Sequence, residues 1–314
     1  MKVVVDRNIP YLQGMLEQVC RVEYIDQADF TPEAVRDADA LLIRTRTRCN
    51  EALLKGSKVQ FIGTATIGFD QIDTHYCLTH GIAWTNAPGC NAQGVCDYVE
   101  TVLHEVVERQ GTSVEGKTLG VVGVGHVGRL VAEMAKRRGY DVLLCDPPRA
   151  DKEGRANFVS LDEIEEKCDI ITFHVPLTKE GPYPTWHMET CRRLKPETLV
   201  INAARGGVVD EEALLRAGNP CVIDTWENEP NANKTLVEKA LFSTYHIAGY
   251  TRRGKYNASQ AVVSALCNHF GWPDLVLPNK PDEAPHIWDI GAVSRELKAH
   301  PERFEALRES YKLR

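Results

Sequence analysis

The chain has 314 residues, 43% hydrophobic and 26% charged, with a formal net charge of −7. That length suits two globular domains, and that composition excludes a solvated, low-complexity polymer. The negative balance excludes recognition of nucleic acid through a general basic surface, so no nucleic-acid partner is expected.

Ten cysteines are scattered without a CxxC pair, which reads as free thiols in a reducing compartment rather than a disulfide framework. At the N-terminus three valines lead straight to Asp6, too little for a signal-peptide core, and no stretch approaches the ~20 apolar residues that span a bilayer. A cytoplasmic protein with no membrane partner is the expectation.

In chain order, apolar runs predict strands at 2–5, 21–25, 40–43, 59–64 and 82–85, with helices at 10–19 and 32–36. Short strands alternating with helices indicate a parallel α/β sheet. The turn-rich stretch Asn86-Ala87-Pro88-Gly89-Cys90-Asn91 breaks this series. Val95, Val99, Val102, Leu103, Val106 and Val107 then stripe one face of a helix over 95–109, a natural connector. A second series predicts strands at 118–122, 141–145, 169–174, 198–202, 221–224 and 243–247, with helices at 129–138 and 257–270. A Pro-rich linker over 278–285 and two helical pieces over 291–312 follow. The expected division is a substrate-binding domain of residues 1–92 completed by 256–280, a nucleotide-binding domain over 93–255 and a short C-terminal tail over 281–314. The chain is expected to cross between the domains near Asn91 and Tyr250.

Gly123-Val124-Gly125-His126-Val127-Gly128 follows the strand at 118–122 and opens a helix, the context in which G-x-G-x-x-G binds a dinucleotide. Gly123 permits the tight turn, Gly125 lets the pyrophosphate approach the backbone, and Gly128 allows helix and strand to pack closely. Asp146 ends the next strand, near the ~20-residue spacing of the acid that holds ribose hydroxyls. Its charge repels a 2′-phosphate and favours NAD over NADP, with Arg149 nearby as the opposing cation. No metal is expected.

Three segments sit where later strands should end, the edge at which open α/β sheets bind ligands. They are Asn202-Ala203-Ala204-Arg205-Gly206-Gly207, Asp224-Thr225-Trp226-Glu227-Asn228-Glu229-Pro230 and His246-Ile247-Ala248-Gly249-Tyr250-Thr251. Oxidising a secondary alcohol needs a base for the hydroxyl proton, a task histidine as a residue type suits, so His246 is the candidate. A carboxylate on the far ring nitrogen, Glu229 or its competitor Glu227, would steady the imidazolium. Arg205 offers permanently charged, planar donors to a substrate carboxylate and C2 oxygen.

Arg-Gly after one strand, Glu-Pro after an Asp-x-Trp strand end, and His-Ile-Ala-Gly, all behind the glycine motif, resemble the D-2-hydroxyacid dehydrogenase family over nearly the whole chain. The resemblance implies two Rossmann-like/flavodoxin-like domains with parallel sheets, an active site in the inter-domain cleft, and NAD-dependent oxidation of a 2-hydroxy acid. It places the catalytic acid immediately before proline, which selects Glu229 beside Arg205 and His246. By the same resemblance Ala203, Ala204, Arg205 and Asp224 would line the nicotinamide half of the cofactor, with Gly249 nearby. His174 and Val175, at another strand end, would touch the cofactor by position, with a core or loop role for His174 as the alternative.

Further stretches, among them Gly63-Thr64-Ala65-Thr66, Gly181-Pro182-Tyr183 and His246-Ile247-Ala248-Gly249-Tyr250-Thr251, resemble a branch of that family acting on a small phosphorylated 2-hydroxy acid. Thr45, Thr66 and Tyr250 would then contact substrate. Arg44, Arg46 and Arg48 alternate after the strand at 40–43, so an extended chain would point them one way and Thr45 the other. Either a phosphate clamp, with Arg44 the favoured residue, or a solvated loop would result. The resemblance also implies a homodimer, paired through a reduced C-terminal segment at 291–313 or through the helix over 95–109. Two alternatives remain: a relative acting on 3-phosphoglycerate, and an NAD(H)-sensing corepressor-like module on the same fold.

Overall fold

The computed structural model describes every residue except 109–110, 112, 178–192 and 285. The chain divides into two units, Met1–Asn91 with Thr251–Ala284, and Ala92–Tyr250 with Pro285–Arg314. Each contains one parallel sheet, as the alternation of strands and helices implies.

The first unit holds β1 (Lys2–Asp6), β2 (Arg21–Ile25), β3 (Ala40–Ile43), β4 (Phe61–Thr64) and β5 (Ala83–Thr85), in the order β2-β1-β3-β4-β5. Its central strands are continuously apolar because both faces are covered. Val3, Val5, Ala40 and Leu42 pack with Val262, Val263 and Leu266 of the helix Arg252–Phe270, while Val4, Leu41 and Ile43 pack with Val35, Leu53 and Leu54 on the other face. The helix expected over 10–19 is replaced by turns and a single 3-10 turn at Leu16–Gln18. Tyr11 and Gly14 take positive φ there, which no α-helix tolerates. The apolar spacing that suggested a helix is real, since Ile9, Leu12 and Leu16 are buried. At the other end of the unit the helix begins at Arg252 rather than at 257, because the Thr251 hydroxyl accepts the Gly254 amide and caps it. The returning segment is therefore 251–284, not 256–280.

The second unit holds β6 (Thr118–Val122), β7 (Asp141–Cys145), β8 (Ile170–Phe173), β9 (Leu199–Asn202), β10 (Cys221–Ile223) and β11 (Phe242–Ser243), in the order β11-β10-β9-β8-β6-β7. Winding runs outward from β6 to β7 and then resumes on the other side at β8, so the switch point lies between β6 and β8. Open α/β sheets place ligands outside the strand ends at that point.

Four expectations change in this unit. The strand foreseen over 243–247 stops at Ser243, for a reason given with the site below. The helix after the glycine motif spans His126–Arg137 and so starts before the third glycine. The connector expected as one α-helix over 95–109 is an α-helix at Ala92–Leu103 followed by a π-helix at His104–Glu108, and Arg109 lies outside the described residues. All of Ala92–Leu103 except Gln93 and Glu100 is buried, packed with Val131 and Ala135 of this same unit. The apolar face of Ala92–Leu103 is thus spent on the chain's own core.

The terminal segment is likewise part of the second unit rather than an appended tail. Its helices Ile290–Ala299 and Phe304–Ser310 deliver Leu297, Phe304 and Leu307 into the cluster that contains Val200, Ile223, Trp226 and Leu236, and Ser294 Oγ accepts the Ser243 amide at 3.0 Å. Phe304→Ala is expected to cost about 3–5 kcal/mol, as for other buried phenylalanines. An unchanged denaturation midpoint for that variant would show that the segment is not built into this core.

Candidate active site

The turn after β6 is shaped by contacts that exclude side chains. Gly123 adopts φ +87°, and a Cβ there would lie 2.6 Å from the His174 carbonyl oxygen and 2.7 Å from Val175, both just past β8. A Cβ on Gly128 would lie 1.9 Å from the Gly123 carbonyl oxygen. At Gly125 the same atom would meet nothing within 4 Å, which leaves the approach to the backbone open. Gly125, His126 and half-exposed Val127 face solvent. The helix His126–Arg137 opens at Gly125 with no side chain capping it, so its first-turn amides are presented to an anion. These features fit the pyrophosphate of a dinucleotide.

Asp146 stands at the end of β7, where a ribose-binding acid belongs. One carboxylate oxygen accepts the Val124 amide at 2.8 Å and the other accepts the Arg149 amide at 3.1 Å. It thus ties the glycine turn to the next helix while a carboxylate's remaining lone pairs stay available. Arg149 is engaged elsewhere: it donates to the Val124 carbonyl at 2.7 Å and makes two 2.7 Å bonds to Glu153. His174 shares a 3.0 Å hydrogen bond with Thr172, and burial of its ring pushes its pKa down to about 3, leaving it neutral.

Arg205, Glu229 and His246 follow three neighbouring parallel strands, β9, β10 and β11. Glu229 Oε2 and His246 Nδ1 are 2.7 Å apart, and Glu229 Oε1 accepts the Trp226 amide at 3.0 Å. Burial opposes ionisation of Glu229, but the His246 hydrogen bond and charge, the Trp226 amide and the Arg308 guanidinium outweigh it and hold the carboxyl below its ordinary value. A carboxylate on Nδ1 leaves Nε2 to exchange a proton with substrate. The competing carboxylate, Glu227, points elsewhere. It accepts the Glu211 amide at 3.0 Å while its own amide donates to Glu211 at 2.7 Å, a reciprocal lock onto the helix Glu211–Ala217. Geometry therefore separates the two acids.

Arg205 is carried by a loop seated on the one that bears Glu229. A Cβ on Gly206 would lie 1.8 Å from the Trp226 carbonyl oxygen, and the Asn202 amide group donates to the carbonyls of Arg205 and Thr225. Buried Ala203 and Ala204 complete that turn, with the Ala204 amide donating to Asn202 at 3.2 Å.

His246 takes φ +59°, a left-handed conformation that costs energy for a side-chain-bearing residue and persists only when its surroundings impose it. The Asp224 carbonyl accepts the His246 amide, and the buried Asp224 carboxylate accepts the amides of Ile247 and Ala248 and the Thr244 hydroxyl at 2.8, 3.0 and 2.6 Å. The Thr244 hydroxyl also meets the Tyr98 hydroxyl at 2.8 Å, and the Trp226 ring N–H donates to the Thr244 carbonyl. These bonds turn the backbone out of the ladder after Ser243. Asp224, expected at the cofactor, organises the turn that carries His246, and Gly249 and Tyr250 follow it as partly exposed residues.

In the first unit Thr45, Arg46 and Arg48 line a cavity of about 610 Å³ together with Asn50, Gly68, Asp70 and Gln71. The alternation expected for an extended chain fails because the backbone turns at Thr45 and Arg46, which brings Thr45 to the same side as two of the arginines. Arg44 is not among the lining residues; its carbonyl accepts from Gln71. Thr66 shares a 2.7 Å hydrogen bond with Thr64 and donates to the Gly68 carbonyl. The stretch Gly181-Pro182-Tyr183 falls outside the described residues.

Sequence reasoning missed Thr244, Tyr98, Glu211 and Arg308. The last donates to the Tyr250 hydroxyl at 3.0 Å from 58 residues away, a pairing no local pattern announces. One group of potential metal ligands, Asp97, Glu100 and His286, also escaped notice. It is internally paired: His286 Nδ1 lies 2.7 Å from Asp97, Gln93 donates to Asp97, and Arg138 donates to Glu100 at 2.9 Å. Among the described residues the nine cysteines are free, and no helix is long and apolar enough to cross a membrane.

Residues 95–248 match the family described as D-isomer specific 2-hydroxyacid dehydrogenase, NAD binding domain. The chain is 47% identical to an erythronate-4-phosphate dehydrogenase of Bacteroides fragilis, over 100% of this chain and 97% of the relative. It is 42% identical to the protein of that name from Escherichia coli, over 86% of this chain and 74% of the relative. Among solved structures, the NAD+-bound 3-phosphoglycerate dehydrogenase of Entamoeba histolytica is similar with a TM-score of 0.72 and 27% identity, covering 89% of this chain and 99% of that one. The TT0316 protein of Thermus thermophilus gives 0.73 and 25%, covering 88% and 100%.

Burial, followed by repulsion from Glu227, Glu212 and Glu229, pushes the Glu211 carboxyl up to about 7 against the opposing pull of the Glu227 amide. An acid with a raised folded-state pKa favours the folded state when protonated, so this contribution is lost as pH climbs from 4.5 through about 7. Glu211→Gln keeps an acceptor for the Glu227 amide and removes the buried charge. Its denaturation midpoint is expected to exceed that of the wild type at pH 8, by a stability on the order of 1–3 kcal/mol, with the gain shrinking toward acid pH. A midpoint lowered equally at both ends of that range would overturn this account.

Proposed function

The chain belongs to the D-isomer specific 2-hydroxyacid dehydrogenase family, and from that premise we propose that it oxidises 4-phospho-D-erythronate to (R)-3-hydroxy-2-oxo-4-phosphobutanoate with NAD, in the formation of pyridoxal 5′-phosphate. The substrate follows from the name borne by relatives aligned over the full chain. The chemistry rests on one observation, the 2.7 Å contact between Glu229 and His246.

When bound, NAD supplies the acceptor for the C2 hydride. Val124, Gly125, His126 and Val127, between Gly123 and Gly128, would hold its pyrophosphate and Asp146 its ribose hydroxyls. Ala203, Ala204, Asp224, Gly249, His174 and Val175 would border the nicotinamide half. The imidazole of His246 takes the C2 hydroxyl proton at Nε2, and Glu229 on Nδ1 stabilises the imidazolium as it forms. Arg205 is assigned to the substrate carboxylate and C2 oxygen, whose charge its permanent cation balances. Tyr250, and in the first unit Thr45, Thr66 and Arg44, are the proposed contacts to the rest of the substrate. Arg46 and Arg48, which line the cavity beside Thr45, join Arg44 as candidates for the phosphate. The protein is proposed to work in the cytoplasm as a homodimer, the assembly implied by the family resemblance.

The deciding assay follows NADH absorbance with 4-phosphoerythronate, 3-phosphoglycerate and D-lactate. Turnover is expected with the first. Preference for 3-phosphoglycerate would replace the substrate assignment, and inactivity on all would favour an NAD(H)-sensing module. In the same assay His246→Ala is expected to lower kcat by at least ~10²-fold, the lower range for general acid–base catalysis, with NAD affinity retained. Near-normal turnover would mean that another group takes the proton. Asp146→Ala is expected to erode the preference for NAD over NADP; unaltered discrimination would remove the ribose assignment.

A further inference from the structure

Arg308 has no part in the reaction as described, yet it is held against that machinery. It lies on the helix Phe304–Ser310, which Phe304 and Leu307 pin to the core of the second unit. Its Nε donates to the Tyr250 hydroxyl at 3.0 Å, and its guanidinium carbon sits 5.6 Å from the centre of the Tyr250 ring, within the range of a cation–π contact. Glu305, one turn earlier on the same helix, lies in ion-pair range at 3.7 Å. The side chain is three-quarters buried, with 25% of its surface exposed. Tyr250 itself lies four residues after His246, at the end of the turn that Asp224 organises.

We propose that Arg308 is a positioning residue of this active site, orienting the Tyr250 hydroxyl toward substrate. The inference rests on the reading that Tyr250 contacts the substrate. A phenolic oxygen that accepts from an N–H must direct its own proton to another acceptor. A phosphorylated hydroxy acid carries anionic oxygens that are such acceptors. The guanidinium polarises the O–H it bonds, which strengthens that donation, and its charge is permanent, so this effect does not vary across the working pH range. Among the described residues, Glu229 feels His246 at 2.7 Å, Arg308, and Glu211 from the adjoining helix. His246 and Arg308 favour its ionised form, whereas mutual repulsion with Glu211 opposes it.

The test compares Arg308→Ala, Arg308→Lys, Tyr250→Phe and the double variant Arg308→Ala/Tyr250→Phe. Arg308→Ala is expected to raise KM for 4-phosphoerythronate about tenfold, the scale of one lost charge-assisted hydrogen bond, with KM for NAD unchanged. Removing the cation disfavours ionised Glu229, so the acid limb of the kcat/KM profile should move to higher pH. Arg308→Lys should restore the limb and only part of the KM, because a point charge lacks the planar fork. In the Tyr250→Phe background, Arg308→Ala should add little to KM. A readout independent of turnover is the titration of the Glu229 carboxyl, followed by carbon-13 NMR, which should move upward in Arg308→Ala. A wild type that turns over no hydroxy acid would defeat the proposed function, while this titration still decides whether Arg308 governs Glu229. A folded Arg308→Ala protein with unchanged KM, acid limb and Glu229 titration overturns the inference. So does an equal KM penalty with and without the Tyr250 hydroxyl. Should Arg308→Ala fail to fold, unchanged KM and acid limb in both Arg308→Lys and Tyr250→Phe overturn it equally.

Discussion

The carboxylate of Asp224 is the fixed point of the second unit. Buried at the end of β10, it accepts two consecutive backbone amides from the turn after β11 and a hydroxyl from Thr244, while its carbonyl accepts the His246 amide. Those bonds hold His246 in a left-handed conformation that a histidine would not otherwise favour. The imidazole is aimed by the backbone beneath it as well as by Glu229 on its ring. A buried carboxylate is tolerated here because its oxygens are occupied by donors whose loss would leave uncompensated charge. Tyr98 and Trp226 extend the same network through Thr244, so the turn that carries His246 is continuous with the hydrophobic core.

Acidic side chains in this unit divide by what they accept. Asp224 and Asp146 receive backbone amides and fix turns, Glu211 and Glu227 exchange amides and lock one loop onto a helix, and Glu229 alone among these acids reaches His246. The division explains how two glutamates separated by one residue can hold different positions. Glu227 is spent on positioning its loop, and Glu229 is left to meet the His246 ring. The helix after β6 follows a complementary logic. Most of the described α-helices begin on a side chain that accepts a first-turn amide, from Thr31 and Asn50 to Thr251 and Asp289, whereas His126–Arg137 begins on a bare glycine. At that helix the missing cap leaves first-turn amides that can face an anion.

How much of this could be read without coordinates depends on the range of each interaction. Strands 21–25, 40–43, 118–122 and 141–145 coincide with those observed: the central strands 40–43 and 118–122 are buried and read as apolar runs, while the half-buried edge strands 21–25 and 141–145 show through their β-branched and aliphatic residues. The glycine turn and the order Arg205, Glu229, His246 were legible for a related reason: strand ends in a parallel sheet recur at intervals along the chain, and each carries its functional residue directly after the apolar run. Periodicity misled at 10–19, where buried Ile9, Leu12 and Leu16 line up as in a helix but positive φ at Tyr11 and Gly14 forbids one. It misled again at 244–247, where the Thr244 and His246 amides still reach backbone carbonyls but left-handed His246 turns the chain and the Asp224 carboxylate takes the Ile247 amide.

The two parallel-sheet units and the glycine turn after β6 are written in local patterns of residue type and spacing, and the candidate arginine, acids and base stand shortly after the apolar runs of those patterns. Folding separates Glu227 from Glu229, places Thr45 with Arg46 and Arg48, and builds the terminal segment into the second core with Arg308 against Tyr250. Those outcomes turn on contacts between residues distant along the chain or on the direction of a single turn. Neither is encoded in a short window, because the energy that selects among the alternatives comes from neighbours that only folding brings near.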